Sequence, residues 1–284
     1  MLGVLTGDRA LAEEGISDVT HYLADRVSGH RVDPVDGAVN AVACWGDTRQ
    51  TCDDPERAAV TADGTRATPE ARGHHWGTLC PTDPDYRTAL LDRIEHVGAT
   101  GDVRLTTLGF PGDGFCRCKR CSRRFDASGQ ADWVAWRTAE ITAFVDAAAD
   151  RVNGSLQATL PPDPYPSHLR ERAGLDPEAL APLVDGFLIP LCGMGYATTY
   201  WVDTLASGFA TRLADLDASF AVQLSADGAE PDRLVDLVGI VDQYADEVVV
   251  GTQPADAAVV REVVRRVGGG QGATIRSTAP NQTP

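Results

Sequence analysis

Apolar runs typical of β-strands alternate with helix-type patterns along almost all of the 284 residues. Eight predicted strands cover residues 2–5, 38–43, 102–108, 155–160, 186–191, 220–224, 247–250 and 273–275. Seven helices are predicted between them, and no segment resembles a linker between two domains. This count and order favour a single (β/α)8 barrel spanning residues 1–284 over an open doubly wound sheet.

Two helices set the geometry near the N-terminal half. Ile16, Val19, Leu23 and Val27 recur at three- and four-residue spacing, which predicts a helix between the first two strands. The second helix begins after a long polar loop over residues 46–78, with Asp83 as its N-cap and Pro84 at its first position. The sequence therefore predicts a barrel with a long loop between its second strand and second helix.

The composition limits the partners of the chain. The formal net charge is −16, and Lys119 is the only lysine among 25 basic residues. Such an acidic, lysine-poor chain is typical of proteins from a salt-rich cytoplasm, as in halophilic archaea, and it disfavours nucleic acids and anionic membranes as partners. The alternative is an acidic protein from a GC-rich genome.

No segment indicates export or membrane insertion. The first 15 residues lack the basic and apolar regions of a signal peptide, and no run of about 18 apolar residues occurs. We therefore expect a cytoplasmic protein. A homo-oligomer is compatible with the sequence.

Three of the seven cysteines fall within six residues: Cys116, Cys118 and Cys121 form a C-x-C-x2-C cluster. In a reducing compartment, clustered cysteines are more often metal ligands than disulfides. A structural zinc site takes four ligands, and Cys80 is the best candidate for the fourth. Four protein ligands would leave no open position for catalysis. Unliganded thiols and a catalytic metal remain as alternatives.

The order of these motifs resembles a known family. Cys80 followed by "PTDPDYRTALLDRI", a strand, "FCRCKRCSRRF" and a helix with two tryptophans is similar to the catalytic barrel of the family-42 β-galactosidases and related glycoside-hydrolase-like barrels. The resemblance covers residues 76–137. It implies that the four cysteines bind structural Zn²⁺ and that the ligand or substrate is a carbohydrate.

The same resemblance implies a pair of catalytic carboxylates, one after the fourth strand and one after the seventh. In the family, the acid/base glutamate stands just before the cysteine cluster, where this chain has "RLTTLGFPGDGF" with Thr106 and Thr107. The predicted seventh strand is followed by Gly251 and Thr252, again without a carboxylate. Both expected positions are therefore empty.

Other polar and aromatic residues are expected at the carboxyl ends of the barrel strands, where chemistry takes place in such barrels. Asp163, at the predicted end of the fourth strand, is the leading general-acid candidate, with Asp113 or Asp227 as its partner. The predicted substrate-binding residues supply stacking rings and polar contacts: Trp45, Arg66, His75, Trp76, Tyr165, Tyr196 and Gln253. Each of these side chains has an ordinary structural role as its alternative.

Two functions follow from these observations. The first is a zinc-stabilised barrel that hydrolyses or binds a carbohydrate. The alternative is a non-catalytic barrel that lost the carboxylate pair and serves as a carbohydrate-binding or assembly component. A zinc-ribbon nucleic-acid binder would suit the "RCKRCSRR" string, but it conflicts with the acidic charge.

Overall fold

A computed structural model of the chain describes residues 1–192, 198–251 and 257–271. Eight parallel strands close into a barrel in chain order, β1 to β8, and the ring is completed by pairing of β8 with β1. The strands are Leu2–Thr6, Val19–Tyr22, Val39–Ala43, Asp102–Thr106, Leu156–Thr159, Gly186–Pro190, Ser219–Ser225 and Glu247–Gly251. The predicted (β/α)8 barrel is thus confirmed.

Ten α-helices lie between or after these strands in the described ranges. They are α1 Arg9–Glu13, α2 Thr48–Asp53, α3 Pro84–Gly98, α4 Lys119–Ser128, α5 Trp133–Ala149, α6 His168–Ala173, α7 Pro177–Leu180, α8 Tyr200–Leu213, α9 Pro231–Val241 and α10 Ala257–Gln271. Helix α3 begins as predicted, because Asp83 accepts a hydrogen bond from the N–H of Tyr86 and Pro84 occupies the first turn. No described helix is both long and apolar enough to cross a membrane.

One predicted helix is wrong. The segment expected to be helical from Ile16 to Val27 contains β2, which pairs with β1 and β3. The strand is only four residues long, and the residue that it turns into the barrel is the polar His21. Alternation of apolar residues, the usual signature of a strand, is therefore absent.

This missed strand shifts the strand numbering. Each of the six strands predicted between residues 38 and 250 stands one place later in the barrel, so the long loop joins β3 to α3 rather than the second strand to the second helix. The predicted strand at 273–275 lies outside the described residues, and the barrel closes without it.

The barrel interior combines an apolar cluster with a buried polar network. Six side chains from six strands form the cluster: Leu5, Leu23, Ala41, Leu188, Ala221 and Val249, counting Leu23 as the continuation of β2. Below them, His21 contacts Glu247 through Nε2 at 2.9 Å and Arg104 through Nδ1 at 2.8 Å. A second and larger core lies between the sheet and the helices.

Gly3 leaves the space that Glu247 fills. A Cβ atom at position 3 would overlap the Glu247 carboxylate. We expect Gly3→Ala to destabilise the protein by about 1–3 kcal/mol, the usual cost of overpacking a dense interior. Gly239→Ala, in α9 with open space around its Cα, is the matched control and is expected to stabilise by up to about 1 kcal/mol. Urea unfolding of both variants measures the difference, and equal effects would contradict the packing argument.

Candidate functional site

The four cysteines predicted as metal ligands meet in one place. The Sγ atoms of Cys80, Cys116, Cys118 and Cys121 all lie within 4.8 Å of one another. Cys80 Sγ lies 3.5 Å from Cys121 Sγ and 3.8 Å from Cys118 Sγ. These separations are far from the roughly 2.05 Å of a disulfide bond. Four sulfurs at about 2.3 Å from a tetrahedral zinc would stand roughly 3.8 Å apart, so the donor set fits such an ion.

Backbone N–H groups are aimed at two of these four sulfurs. Cys118 is the N-cap of α4, and its Sγ accepts from the N–H of Cys121 at 3.4 Å. Contacts with Cys116 and Cys121 and that N–H together lower the pKa of the Cys118 thiol. The N–H of Val60 points at Cys116 Sγ from the long loop at 3.4 Å. Donors aimed at sulfur favour the thiolate form, which is the form that binds metal.

The cluster joins two distant parts of the chain. Cys80 lies just before α3, and the other three cysteines lie in the segment that follows β4, because the missed strand moves this segment from the third strand to the fourth. Arg120 and Arg57 both approach Asp83, next to the cluster, at 3.7 Å and 3.5 Å. These cations would offset part of the negative charge of a four-thiolate metal site.

A cleft of about 610 Å³ opens beside this segment at the carboxyl end of the barrel. The loops after β4 and β5, helix α6 and one residue of α8 form its walls. The lining residues are Phe110, Pro111, Gly112, Pro161, Pro162, Asp163, Pro164, Tyr165, His168, Leu169, Arg172, Ala173 and Leu205. Most of the wall is apolar, and the polar side chains gather at one corner.

Asp163 is the centre of that corner. His168 Nδ1 lies 3.1 Å from Asp163 Oδ2, and Arg172 donates to the same oxygen from 3.3 Å. His168 and Arg172 stand four residues apart on α6, so both reach back to the loop that carries Asp163. A carboxylate only accepts, so His168 Nδ1 carries the proton toward it and Nε2 is left for a ligand. Tyr165 is 67% exposed, with its ring centroid 5.3 Å from that of His168.

Sequence reasoning missed His168 and Arg172. The available signal was the i, i+4 pair of a histidine and an arginine directly after the proline-rich turn around Asp163. The prediction that Asp163 lies at the end of the fourth strand is also wrong. Asp163 follows β5, whereas β4 ends at Thr106. Asp113 follows β4 and Asp227 follows β7, so these two aspartates are the ones that come after the strands expected to carry catalytic carboxylates.

These two aspartates lie apart from the Asp163 corner. Both are exposed, and neither lines the cleft. Asp113 accepts a hydrogen bond from the N–H of Gly114, and the N–H of Asp227 donates to Ser225 Oγ. Thr107 directly follows β4 and Ser225 is the last residue of β7, and neither residue has a carboxylate.

The other predicted ligand-binding residues are dispersed. Trp45 is fully buried between Phe144 and Tyr86, so no face of its ring is open to a sugar. Arg66 pairs with Glu56 on the long loop, away from the cleft. His75 and Trp76 are exposed on the same loop, with their ring centroids 6.3 Å apart. Tyr196 and Gln253 lie outside the described residues.

The His21 network is a second polar site that the sequence did not reveal. Arg104 can only donate, so Nδ1 of His21 accepts, and its Nε2–H donates to Glu247. Burial lowers the pKa of His21, which agrees with this neutral form. Burial also lowers the pKa of Arg104 to about 10. The result is an arginine and a glutamate joined through a neutral imidazole inside the barrel.

Comparison with known proteins supports the fold. No family model and no curated protein matches this sequence. An α-amylase from Lactobacillus plantarum is similar in structure with a TM-score of 0.51 and 10% identity, over 94% of this chain and 79% of that chain. A class V chitinase from Pseudomonas fluorescens Pf-5 has a TM-score of 0.45 and 12% identity, over 79% of this chain and 68% of that chain.

The structural matches also include a protein that is not named as a glycosidase. A mutant tryptophan synthase α-subunit from Pyrococcus furiosus has a TM-score of 0.40 and 11% identity, over 94% of each chain. At such identities, the likeness shows the barrel fold alone. Function must therefore be argued from the side chains of this chain.

Proposed function

We propose that this protein is a carbohydrate-binding barrel of glycoside-hydrolase type that binds its sugar in the cleft between the β4 and β5 loops. The observation that carries the proposal is the Asp163 corner, where a carboxylate, an imidazole and a guanidinium converge beside an exposed tyrosine ring. Polar groups that converge at one edge of a largely apolar cleft are typical of small-molecule sites.

The chemistry of this corner suits a sugar ring. The Asp163 carboxylate would accept hydrogen bonds from hydroxyl groups, and the free N–H groups of Arg172 would donate to neighbouring oxygens. Tyr165 offers an exposed aromatic face against which the apolar side of a pyranose would pack. Pro161, Pro162 and Phe110 line the cleft and offer further apolar surface.

We favour sugar binding over hydrolysis, because hydrolysis by the usual mechanism needs a pair of catalytic carboxylates. Glycosidases of this type need two carboxyl groups about 5–9.5 Å apart across the scissile bond. Thr107, directly after β4, and Ser225, the last residue of β7, occupy these places instead. Asp163 already accepts from His168 and Arg172 and has no second carboxylate among the residues lining its cleft.

The cysteine cluster is proposed to hold one structural Zn²⁺. Cys80, Cys116, Cys118 and Cys121 would complete the tetrahedron, so the ion would stabilise the loops at the barrel mouth and take no part in chemistry. The family-42 resemblance, the cytoplasmic location and the salt-rich origin belong to the same proposal. It includes neither a nucleic-acid nor a membrane partner.

Substitution of Asp163 tests the carbohydrate site. We expect Asp163→Asn to weaken binding to the best ligand of an oligosaccharide panel by about 10- to 100-fold, the usual effect of losing hydrogen bonds to a charged group. Calorimetry with purified protein measures the affinity. Asp236→Asn, an exposed carboxylate on α9, is the matched control and should bind like the wild type. Equal affinity of both variants would contradict the proposed site.

Hydrolysis is the second candidate, because a carboxylate does follow each of the two expected strands. Asp113 comes six residues after Thr107, and Asp227 comes two residues after Ser225. In this case the oligosaccharide panel would show turnover, with Asp163 as the acid and Asp113 or Asp227 as its partner. Loss of that turnover in Asp113→Asn or Asp227→Asn, but not in Asp236→Asn, would establish the enzyme over the binding module.

A further inference from the structure

Arg137 joins the cysteine segment to the polar corner of the cleft. It lies on α5, and only 1% of its surface is exposed. Its Nη1 donates to the carbonyl oxygens of Gly112 at 2.7 Å and Phe115 at 2.9 Å. The same guanidinium donates to the carbonyls of Glu171 and Arg172 in the last turn of α6.

The two groups of carbonyls belong to different sites. Phe115 directly precedes the metal ligand Cys116, and Gly112 lines the cleft. Helix α6 carries His168 and Arg172, which contact Asp163. A guanidinium at the carboxyl end of α6 also meets the negative end of the helix dipole, which strengthens these hydrogen bonds.

Burial makes this arrangement sensitive to loss of any partner. Desolvation lowers the pKa of Arg137 to about 10, so its charge depends on the carbonyl oxygens that replace water. A direct hydrogen bond from the N–H of Phe110 to the carbonyl of Ala173, at 2.9 Å, joins the same two segments. Movement of the 110–115 segment would therefore leave the guanidinium under-solvated and release α6.

We propose that Arg137 is a positioning residue that couples metal binding at the cysteine cluster to the shape of the carbohydrate cleft. A metal held by the four cysteines fixes Cys116, and Cys116 fixes the Phe115 carbonyl on Arg137. Arg137 in turn holds α6, so that His168 and Arg172 face Asp163. Ligand and metal then raise each other's affinity, because coupling between two sites is reciprocal.

This inference rests on the proposed metal site, but its test needs no carbohydrate. Amide hydrogen exchange is followed by mass spectrometry on reduced protein loaded with zinc, and again after the zinc is removed with a chelator. Metal content is measured by atomic emission in each sample. We expect removal to speed exchange of residues 168–174 at least tenfold and to leave α9 unchanged. Re-addition of zinc should restore the slow exchange.

The Arg137→Met variant separates coupling from a merely structural role. We expect fast exchange in 168–174 even with zinc bound, and no further increase when zinc is removed. Arg137→Lys is the substitute if the methionine variant does not fold. The lysine keeps the charge but cannot reach the carbonyls of both the 112–115 segment and α6, so we expect the same result from it. Arg124→Met is the matched control, since Arg124 is half-exposed and pairs with Glu140 rather than α6; its response to zinc should equal that of the wild type.

Three results would overturn the proposal. The first is a protein that binds no zinc, and the second is unchanged exchange in 168–174 when zinc is removed from the wild type. The third is an Arg137→Met protein in which zinc removal still speeds exchange of 168–174 as much as in the wild type. Failure of oligosaccharide binding alone would leave these readouts unaffected, so the two proposals fail separately.

Discussion

We expect the wild-type protein to lose about 4 kcal/mol of its free energy of unfolding when zinc is removed. The comparison is with protein in free zinc at about 1,000 times the Kd. The reason is that the four sulfurs form one site only in the folded chain. There, Cys80 lies within 4.8 Å of three cysteines that are 36 or more positions away in the sequence. The unfolded chain has no comparable site. Urea unfolding with and without a chelator measures the difference.

Cys121→Ser should reproduce this loss without a chelator. Cys121 is buried, and its Sγ lies 3.5 Å from that of Cys80, so a serine there would remove one ligand from the tetrahedron. Cys52→Ser is the matched control, because Cys52 is exposed on α2 and lies outside the cluster. We expect one zinc per chain in the control and a large loss of zinc in Cys121→Ser. Equal zinc content and equal stability in the two variants would refute the metal site.

Arg104→Met is expected to destabilise the protein by about 3–5 kcal/mol, the cost of leaving a buried partner charge uncompensated. Arg104 is 1% exposed and is linked to Glu247 through His21. Arg261→Met, which removes an exposed partner of Glu14, is the control and should leave stability unchanged. Chemical denaturation at pH 7.5 measures both variants.

A double variant shows whether the charges act as a unit. Arg104→Met combined with Glu247→Met removes both charges from the barrel interior, and apolar replacement of a buried pair is often nearly neutral. We expect the double variant to be more stable than Arg104→Met alone. Additive losses from the two single substitutions would show that the two residues act independently.

The same network makes stability depend on pH. Burial lowers the pKa of His21 in the folded protein below its ordinary value of 6.5. Below about pH 6.5 the unfolded chain therefore binds a proton that the folded chain does not. Stability contributed by the neutral imidazole is thus present above that pH and falls by up to about 1.4 kcal/mol per pH unit below it. Unfolding of wild type and His21→Gln between pH 5 and 8 should show this slope only in the wild type.

Local patterns were enough for much of the architecture. Helix α3 was predicted with its cap and first turn, because Asp83 and Pro84 act on neighbouring backbone groups. Seven of the eight strands were predicted near their observed positions. Three cysteines were predicted as ligands from their C-x-C-x2-C spacing, and Cys80 was added because it lies just before the second predicted helix, on a loop adjacent to the cluster. The structure brings all four sulfurs within 4.8 Å of one another.

The candidate site could be predicted only in part. Asp163 and Tyr165 were named from sequence, but their partners His168 and Arg172 were not, because the contact depends on how the proline-rich turn folds back onto α6. Trp45 was expected at the barrel mouth, yet it packs against Phe144 under the helices. A side chain next to a strand end points either to the mouth or to the helix layer, and composition does not distinguish the two directions.

The sequence by itself determined the alternation of strands and helices, the capping of α3 and the clustering of three cysteines, since each depends on residues close together in the chain or on a repeated pattern. Only the tertiary structure decided the identity of β2, the place of each loop in the strand order and the network of His21, Arg104 and Glu247. His21 stands 83 residues from Arg104 and 226 from Glu247. Such contacts form only when the closed parallel barrel brings distant strands together. A polar residue that faces the barrel interior also interrupts the alternation of apolar residues by which a strand is predicted from sequence.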